Sequence, residues 1–378
     1  MNSKNSARGI DTSTISRIII LNLIPNTVGD TLSLCALIKT VRYNLPKAHI
    51  AITTTAKLKF LFEGIDGFDE LIVIPELHKI GETNRSKVSK IWIYLRVIFW
   101  IVRNLRKKNF DCAIVSLLEF SPNHLIPWLA GIPIRIGHKY LSSKFAWTLT
   151  DSVPFPETMR YFSQHITKTI LSVIQPLNFK IPPDLRIEKK VSPVAVRSIL
   201  AKLKNNGLPT GTQFVVFQCG AKWISKTWPA EKFVKLGKLI TQQYPLFKIV
   251  IVGSAGEKES CDQIAESIGK EYCLIACNFG LDEVCALVSK ARLAIVNDSG
   301  IAHISSFVGT QTIVLYGGTH PAHSLPIGIG KTIPIFNGDM NSFFKIDDVE
   351  TEEKKRLMTK ISVEEVFSNL HKLLGASS

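Results

Sequence analysis

The residues best suited to chemistry lie in loops that follow apolar, β-branched runs. In residues 296–303 an apolar run gives way to Asp298, Ser299 and Gly300, and a helical pattern follows. Backbone N–H groups at the start of a helix bind phosphate, and a glycine lets a ligand come close to the chain. His303 follows Ser299 by about one helical turn and shares its face. This loop predicts a phosphate site, with a packed core histidine as the alternative for His303.

A second loop, Gln218–Pro229, is basic and joins a predicted strand to a predicted helix. Its lysines are Lys222 and Lys226. An ammonium group beside a helix start neutralises a diphosphate and stabilises the charge that develops on a departing phosphate. Ordinary solvated lysines are the alternative interpretation. Gly253, in the turn after the next strand, is a further position where the backbone can border a nucleoside, although its glycine pattern is a weak signal.

A third loop ends in Gly29 and Asp30, just before Thr31 and a helical pattern. A carboxylate at this position is able to accept a proton from an attacking hydroxyl group. Aspartate also caps helices and stabilises their positive ends. On this loop alone, a catalytic base and a helix cap both remain open, and the two roles are compatible.

The three loops share a position, because each ends a strand and begins a helix. Strands and helices alternate along the chain, which is typical of a parallel sheet covered by helices. The predicted strands are residues 17–24, 49–53, 71–74, 111–117, 214–218, 247–252, 293–296 and 312–316. Ligands of such sheets bind beyond the carboxyl ends of the strands. We therefore predict an α/β protein with two doubly wound, Rossmann-like domains that face a central cleft.

The predicted domain boundaries follow a change of composition at mid-chain, where Pro, Gly and polar residues are frequent. We assign residues 1–180 to a first domain, 181–212 to a linker, 213–345 to a second domain and 346–378 to a carboxyl-terminal helical segment. We expect the last segment to pack toward the first domain.

Composition narrows the class of protein. Of the 378 residues, 46% are hydrophobic and 20% charged, which is typical of a folded globular chain. The seven cysteines are scattered, so we expect reduced, buried thiols in a cytoplasmic protein, with no metal site. No run of 18 uncharged apolar residues occurs and the first sixteen residues are polar, so we expect neither a membrane span nor a signal peptide.

Positive charge is concentrated in the first half. Residues 1–180 contain 23 Lys and Arg against 12 Asp and Glu, within a chain of net charge +15. This imbalance indicates a polyanionic partner, and a phospholipid or phosphorylated glycolipid is favoured over nucleic acid because no nucleic-acid-binding module is present. Residues 91–102 are apolar except for Arg96 and precede several basic residues. A helix here either lies on an anionic membrane or packs in the core.

Taken together, the loops resemble glycosyltransferase family 9, the lipopolysaccharide heptosyltransferases. The matching pieces occur in the family's order over residues 17–325. They are Val28-Gly29-Asp30, Lys226-Thr227-Trp228-Pro229 with Phe233, Leu281–Ala291, Asn297-Asp298-Ser299-Gly300 with His303, and Tyr316–Pro321.

This resemblance implies a GT-B fold in which the first domain binds the acceptor and the second the donor. It places the catalytic base on Asp30 and the phosphate-binding lysine on Lys226. The expected donor-binding residues are Gln218, Lys222, Gly253, Asp298, Ser299, Gly300, His303 and Thr319. The expected acceptor-binding residues are Gly29, Thr31 and Arg135.

The predicted reaction is an inverting, metal-independent transfer of a sugar from a nucleotide-diphosphate donor, which is the co-substrate and leaves no need for a further cofactor. ADP-heptose, a lipopolysaccharide-core-type anionic glycolipid acceptor and a peripheral position on the inner membrane are the expected specifics. Gln218 stands where many members have histidine, and Gly317–Pro321 departs from a frequent Gly-Pro-Thr-Asp-Pro run. The alternatives are a nucleotide-sugar epimerase of the same fold and a non-catalytic protein that binds anionic surfaces.

Overall fold

The computed structural model describes residues 9–22, 28–75, 87–116, 122–139, 144–155, 164–221, 223–339 and 351–375. The chain divides into two compact units. The first comprises Met1–Phe62, Asp66–Glu157 and Ile166–Leu185, and the second comprises Glu63–Ile65, Thr158–His165 and Arg186–Ser378.

The first unit is built on a six-stranded parallel sheet in the order β3-β2-β1-β4-β5-β6. Its strands are β1 Arg17–Leu21, β2 His49–Thr55, β3 Glu70–Ile74, β4 Cys112–Val115, β5 Ile134–Lys139 and β6 Asp151–Pro154. The order reverses beside β1, because β2 lies on one side of it and β4 on the other. Parallel strands covered on both faces are continuously apolar, which is why β1 reads as an unbroken β-branched run.

The helices of the first unit are α1 Val28–Asn44, α2 Lys59–Phe62, α3 Lys87–Arg106, α4 Pro122–Leu129 and α5 Ile166–Ser172. Helix α1 packs against α5. Ile101 and Leu105 of α3, together with Ile126 of α4, pack against Ala113 and Val115 of the sheet. Helix α1 begins at Val28, three residues earlier than the sequence predicts, so the predicted loop residues Gly29 and Asp30 lie in its first turn.

The second unit repeats this plan with the order β12-β11-β10-β7-β8-β9, all parallel. Its strands are β7 Phe214–Gln218, β8 Lys248–Val252, β9 Cys273–Ile275, β10 Leu293–Asn297, β11 Thr312–Tyr316 and β12 Thr332–Phe336. Here the strand order reverses at β7, which has β8 on one side and β10 on the other. In open parallel sheets, a crevice that can take a ligand forms at this switch point.

The helices of the second unit cover both faces of its sheet. They are α6 Pro193–Asn205, α7 Ala230–Gln243, α8 Lys258–Ile268, α9 Leu281–Val288, α10 Gly300–Phe307, α11 Pro321–Ser324, α12 Glu352–Lys360 and α13 Val363–Gly375. Alternate residues of β7 serve opposite faces, because Phe217 packs with α7, α8 and α13 whereas Val216 packs with α6 and α9. The fully buried Phe217 and Val216 therefore belong to two separate cores.

Two segments at the edges of the predicted domains pack on the second unit. Within residues 181–212, predicted as a linker, α6 buries Ile199 and Leu203 in that unit's core. The carboxyl-terminal helices also join it: Val366 of α13 is buried there, and the Trp228 indole N–H donates to the Ile361 carbonyl at 3.1 Å. The apolar face of this terminal segment is used in the core of the second unit, and the expectation that the segment packs toward the first domain stays a prediction.

All seven cysteines are free thiols, and all except the half-buried Cys273 are buried. Burial raises the pKa of Cys273 to about 12 and that of Cys285 to about 11, which keeps both thiols protonated near neutral pH. None of the helices in the described ranges is long and apolar enough to cross a bilayer.

Candidate active site

The predicted phosphate-binding residues converge at the switch point of the second sheet. Strands β7 and β10 are hydrogen-bonded neighbours, with Gln218 in register with Val296. Both strands therefore end at the same edge, and the loops that follow them are held side by side. These loops are Gln218–Pro229 and 298–300, which were predicted separately from the sequence.

The centre of the site is a buried ion pair. The Lys226 ammonium lies 2.6 Å from Oδ2 of Asp298, and the two side chains are only 14% and 5% exposed. The Thr319 hydroxyl donates to the same oxygen, and the Ser324 hydroxyl approaches Oδ1 at 3.4 Å. Burial favours the neutral acid, but Lys226, Thr319 and His303 outweigh it and hold the pKa of Asp298 below its usual value. The carboxylate is therefore ionised and fixes the position of the ammonium group.

The start of helix α10 lies next to this pair. Ser299 is its N-cap and accepts a hydrogen bond from the Ile301 N–H at 3.3 Å. The Ser299 hydroxyl donates to Oε1 of Gln218 at 3.0 Å, and the Gln218 amide donates to the Gly220 carbonyl. Gln218 therefore orients the cap. The first N–H groups of a helix have no partner within it, so this end of α10 is suited to an anion.

Asn297 fixes the lysine loop at both of its ends. Its side-chain amide donates to the carbonyls of Cys219, at 2.9 Å, and Gly220, at 3.2 Å, and its Oδ1 accepts the Trp228 N–H at 3.1 Å. The residue is fully buried. In the sequence Asn297 stands out only as part of a motif, because its role in holding the loop depends on β7 and β10 being neighbours.

The loop after β11 is joined to the lysine loop. The Gly318 N–H donates to the Ser225 carbonyl at 2.8 Å. A Cβ atom on Gly317 would come within 2.5 Å of that carbonyl oxygen, so this contact requires a glycine. The loop thus brings Thr319 to Asp298, as described above. His320 is completely buried, and its ring accepts the Ala322 N–H at 3.1 Å as the cap of α11.

His303 and Gly253 were also predicted as donor-binding residues. His303 is buried on α10 and stabilises the charge of Asp298, so it belongs to the predicted cluster although it is also packed. Gly253 follows β8, where a Cβ atom would come within 3.1 Å of the Cys261 sulfur and 3.2 Å of the Cys277 sulfur. Lys222 lies outside the described residues.

Glu257 is a carboxylate near the site that the sequence did not identify. Its Oε2 accepts the Ser254 N–H at 2.6 Å and the Ser254 hydroxyl at 2.7 Å, which forms a capping box at the 3-10 turn Ala255–Glu257 that precedes α8. Its Oε1 lies so close to Gly220 that a side chain there would overlap it. The carboxylate therefore borders the lysine loop, and the S-x-x-E spacing of Ser254 and Glu257 was the available signal.

The predicted acceptor-side residues belong to the first unit. Asp30 is half-buried in the first turn of α1, followed by the buried Thr31, and Gly29 accepts the Ser33 hydroxyl at 2.9 Å. The Arg135 guanidinium donates to backbone carbonyls, among them that of Thr148 at 2.6 Å. Its described contacts therefore hold the chain around β5 together.

A row of buried polar side chains lies at the carboxyl edge of the first sheet. The strand register places Thr54, Asn22, Ser116 and His138 on four adjacent strands or directly after them. Within the described part of the chain, one polar side-chain atom of each has no hydrogen-bond partner. Such an atom costs about 1–3 kcal/mol unless a ligand or water satisfies it. This polar row was not predicted from the sequence; the available signal was a polar residue directly after an apolar run, as at Asn22 and Ser116.

The polar row also contains an unusual titratable group. Burial, with the nearby His124, lowers the pKa of His138 to about 4. One ring nitrogen of His138 is 2.9 Å from the Ser172 hydroxyl. The imidazole is therefore neutral at physiological pH. Among the described residues, no three His, Cys, Asp or Glu side chains are arranged to share a metal ion.

Comparison with protein families gives an extended match. The family described as glycosyltransferase family 9 (heptosyltransferase) matches residues 98–352. Lipopolysaccharide heptosyltransferase 2 of Escherichia coli (strain K12) is 25% identical and covers 82% of this chain and 85% of its own. The protein of the same name from Salmonella typhimurium is 24% identical and covers 94% and 98%.

Solved structures agree on the fold. The structure of E. coli ADP-heptose LPS heptosyltransferase II matches with a TM-score of 0.72 at 21% identity, over 96% of this chain and 99% of that one. A glycosyl transferase family 9 structure from Veillonella parvula DSM 2008 matches with a TM-score of 0.78 at 19% identity, over 97% and 99%. The predicted GT-B fold and the predicted family resemblance are confirmed.

Proposed function

Because the chain belongs to glycosyltransferase family 9 (heptosyltransferase), we propose that this glycosyltransferase moves a heptose from ADP-heptose to a lipopolysaccharide-core-type acceptor at the inner membrane surface. The observation that carries the proposal is the Lys226–Asp298 pair beside the start of α10. A buried ammonium group fixed by a carboxylate, next to outward N–H groups, is a preorganised site for a pyrophosphate.

In the proposed reaction, the acceptor hydroxyl oxygen attacks the anomeric carbon from the face opposite the diphosphate. The new glycosidic C–O bond forms as the bond to the diphosphate oxygen breaks, so the configuration inverts. Asp30 takes the hydroxyl proton. Lys226 and the first N–H groups of α10 stabilise the charge on the departing nucleoside diphosphate, and such preorganised groups typically supply about 3–4 kcal/mol each.

The proposed donor is supported by the relatives and by the donor-side residues. The relatives are named as heptosyltransferases, and solved neighbours include an E. coli heptosyltransferase with ADP. Gln218, Ser299 and Gly300 border the proposed pyrophosphate position. The Glu257 carboxylate, which lies against Gly220, has the chemistry to accept hydrogen bonds from ribose hydroxyls.

The proposed acceptor is supported by the polar row and by the charge of the first half. Asn22, Thr54 and Ser116 offer buried hydrogen-bonding atoms at the edge where sheets of this class bind ligands. A sugar hydroxyl both donates and accepts, so it can satisfy such atoms. The excess of Lys and Arg in residues 1–180 suits an acceptor that carries phosphate or carboxylate groups. We propose a cytoplasmic enzyme that acts peripherally at the inner membrane without a metal or further cofactor.

The decisive experiment combines a donor panel with one substitution. The protein is incubated with ADP-heptose, UDP-sugars and GDP-sugars, with and without heptose-free lipopolysaccharide, and products are identified by mass spectrometry. We expect mass gain only with ADP-heptose and acceptor together. Asp30→Asn should fold normally by circular dichroism and lose turnover by about 10²-fold or more, as expected for loss of a general base.

Each alternative has its own outcome in this experiment. Conversion of the donor without acceptor indicates an epimerase. Absence of ADP binding by calorimetry indicates a non-catalytic surface-binding protein. Transfer by Asp30→Asn at the wild-type rate excludes Asp30 as the base.

A further inference from the structure

Helix α3 is apolar on two opposite faces. One face packs on the first sheet through Ile101 and Leu105, with the partly buried Val97 and Ile98 beside them. A helix that covers a sheet normally turns a polar face outward. Here the outer face carries large apolar side chains instead, which indicates a second partner for the helix.

The outer face is a continuous aromatic and aliphatic stripe. Trp92 and Phe99 are 64% and 66% exposed, and Leu95 lies between them. These spacings of three and four residues place the three side chains on one side of the helix. Ile91 and Trp100 flank the stripe and are also exposed. Single exposed apolar residues are common, but a contiguous exposed patch marks an interaction surface.

All charged residues in the segment that contains the stripe are basic. Residues 83–110 contain no Asp or Glu, and Arg96 and Arg103 are exposed along α3. Arg106 donates to the Leu129 carbonyl at 2.7 Å, which joins the end of α3 to α4. Lys108, just beyond the end of the helix, pairs with Glu70, whereas Arg96 and Arg103 are exposed within α3.

Two further tryptophans are exposed on elements that lie next to α3. Trp128 of α4 stacks edge-on against Trp147, with ring centroids 5.4 Å apart, and Trp147 remains 66% exposed. The turn Ala146–Thr148 is held to α4 because the Thr148 hydroxyl donates to the His124 carbonyl at 2.9 Å. Exposed tryptophans combine an apolar ring with a polar N–H and favour the interface between lipid headgroups and acyl chains.

We propose that the outer face of α3, together with the Trp128–Trp147 pair, is a docking surface for an anionic lipid bilayer. Trp92, Leu95 and Phe99 enter the boundary between headgroups and acyl chains, while Arg96 and Arg103 pair with lipid phosphates. A second copy of the chain fits less well, because two such basic faces would repel each other. The inference rests on the proposed function in one respect: a lipid-linked acceptor would lie in the same bilayer.

The test measures vesicle binding by the full chain without any sugar substrate. We expect flotation with vesicles of phosphatidylcholine and phosphatidylglycerol, little with phosphatidylcholine alone, and quenching of tryptophan emission by lipids brominated in the acyl chain. Trp92→Ala/Phe99→Ala should weaken partitioning by about tenfold or more, since each buried apolar group contributes to binding. Arg96→Glu/Arg103→Glu should weaken it by a similar factor and reduce its dependence on salt.

A matched control uses an exposed leucine in the second unit. Leu246 is 85% exposed and lies far along the chain from the stripe, so Leu246→Ala should bind vesicles as the wild type does. Thermal unfolding of every variant checks that the fold is retained. Wild-type vesicle binding by folded Trp92→Ala/Phe99→Ala overturns the proposal. Loss of a dimer in light scattering, with no vesicle binding by the wild type, assigns the face to a second copy instead.

The outcome is separable from the proposed sugar transfer. Transfer to a water-soluble, deacylated acceptor should be unchanged in Trp92→Ala/Phe99→Ala, whereas transfer to the same acceptor in vesicles should fall. If the wild type binds anionic vesicles but transfers no sugar to either acceptor, the docking surface stands and the proposed reaction fails.

Discussion

The two sheets have the same strand plan but differ at their carboxyl edges. In the second unit, the side chains of Gln218, Asn297, Asp298 and Ser299 all have hydrogen-bond partners: Gln218 bonds Ser299 and the Gly220 carbonyl, Asn297 bonds backbone, and Asp298 bonds Lys226. In the first unit, the polar row at the corresponding edge has atoms without partners among the described residues. The edge of the second sheet is therefore assembled before any ligand binds, whereas the edge of the first sheet has polar atoms that can still form hydrogen bonds to a ligand. This difference is consistent with the proposed division of tasks, in which one edge binds a pyrophosphate and the other a sugar-rich acceptor.

The largest expected effect comes from breaking the buried ion pair. Lys226→Met leaves the Asp298 carboxylate buried without its counter-charge, so the free energy of unfolding should fall by about 3–5 kcal/mol. Turnover should fall by about 10²–10³-fold because the charge on the leaving group loses a stabilising cation. Urea unfolding and steady-state kinetics measure the two losses.

Two variants serve as controls for this prediction. Lys226→Met/Asp298→Asn should regain part of the stability, because no unpaired charge remains, but none of the turnover. Asp30→Asn, on a half-buried helix start, should lose turnover with a stability change of only about 1 kcal/mol. Equal destabilisation by Asp30→Asn and Lys226→Met would contradict a preassembled second edge.

A smaller loss of folding stability is expected at acidic pH. The pKa of His138 is about 4 in the folded protein, against about 6.5 in an unfolded chain. Between pH 4 and pH 6.5 His138 is protonated in the unfolded chain but neutral in the folded protein. The neutral His138 therefore contributes fully to the free energy of unfolding above pH 6.5, and this contribution is lost as the pH falls toward 4. The loss attributable to His138 approaches about 3 kcal/mol at the acid end. Urea unfolding of the first unit as a function of pH measures it.

His138→Gln is the comparison variant for acid sensitivity. It should flatten the pH dependence over this window, leaving the smaller contribution of His124, whose pKa burial also lowers. A pH profile that is unchanged in His138→Gln would show that another group is responsible.

The smallest expected effects compare one asparagine from each sheet edge, Asn297 at the end of β10 and Asn22 directly after β1. Asn297→Ala removes the hydrogen bonds to Cys219, Gly220 and Trp228, and should cost about 2–3 kcal/mol of stability. Asn22→Ala removes an amide nitrogen that has no hydrogen-bond partner among the described residues, so stability should change by less than about 1 kcal/mol. Its KM for the acceptor should instead rise several-fold, with ADP binding unchanged by calorimetry. Equal losses of stability in Asn297→Ala and Asn22→Ala would contradict the proposed difference between the two sheet edges.

The sequence predicted the buried strands best. Strands β7 and β11 have the predicted bounds because a strand covered on both faces is apolar at nearly every position. Strand β5, Ile-Arg-Ile-Gly-His-Lys, was not predicted because charged and polar residues interrupt it. The start of α1 was placed too late because Gly29 was interpreted as a turn residue, whereas the glycine lies within the helix.

For the candidate site, the sequence identified the reactive and phosphate-binding side chains but not the residues that position them. Lys226, Asp298 and Ser299 were predicted from loop chemistry and helix starts, and the structure brings them together. The contacts of Asn297 and the row through Asn22 and Ser116 depend on which strands are neighbours. Strand order arises from tertiary packing and leaves no local pattern in the chain.

The amide clamp of Asn297 has a consequence for how donor preference can change during evolution. Because Asn297 holds Cys219 and Gly220 at one end of the lysine loop and Trp228 at the other, the path of the intervening residues is not needed to keep those ends in place. Substitutions between the anchored ends that spare Ser225 and Lys226 can therefore be explored without dismantling the sheet beneath them. In this arrangement, substrate specificity can change during evolution while the fold keeps its stability.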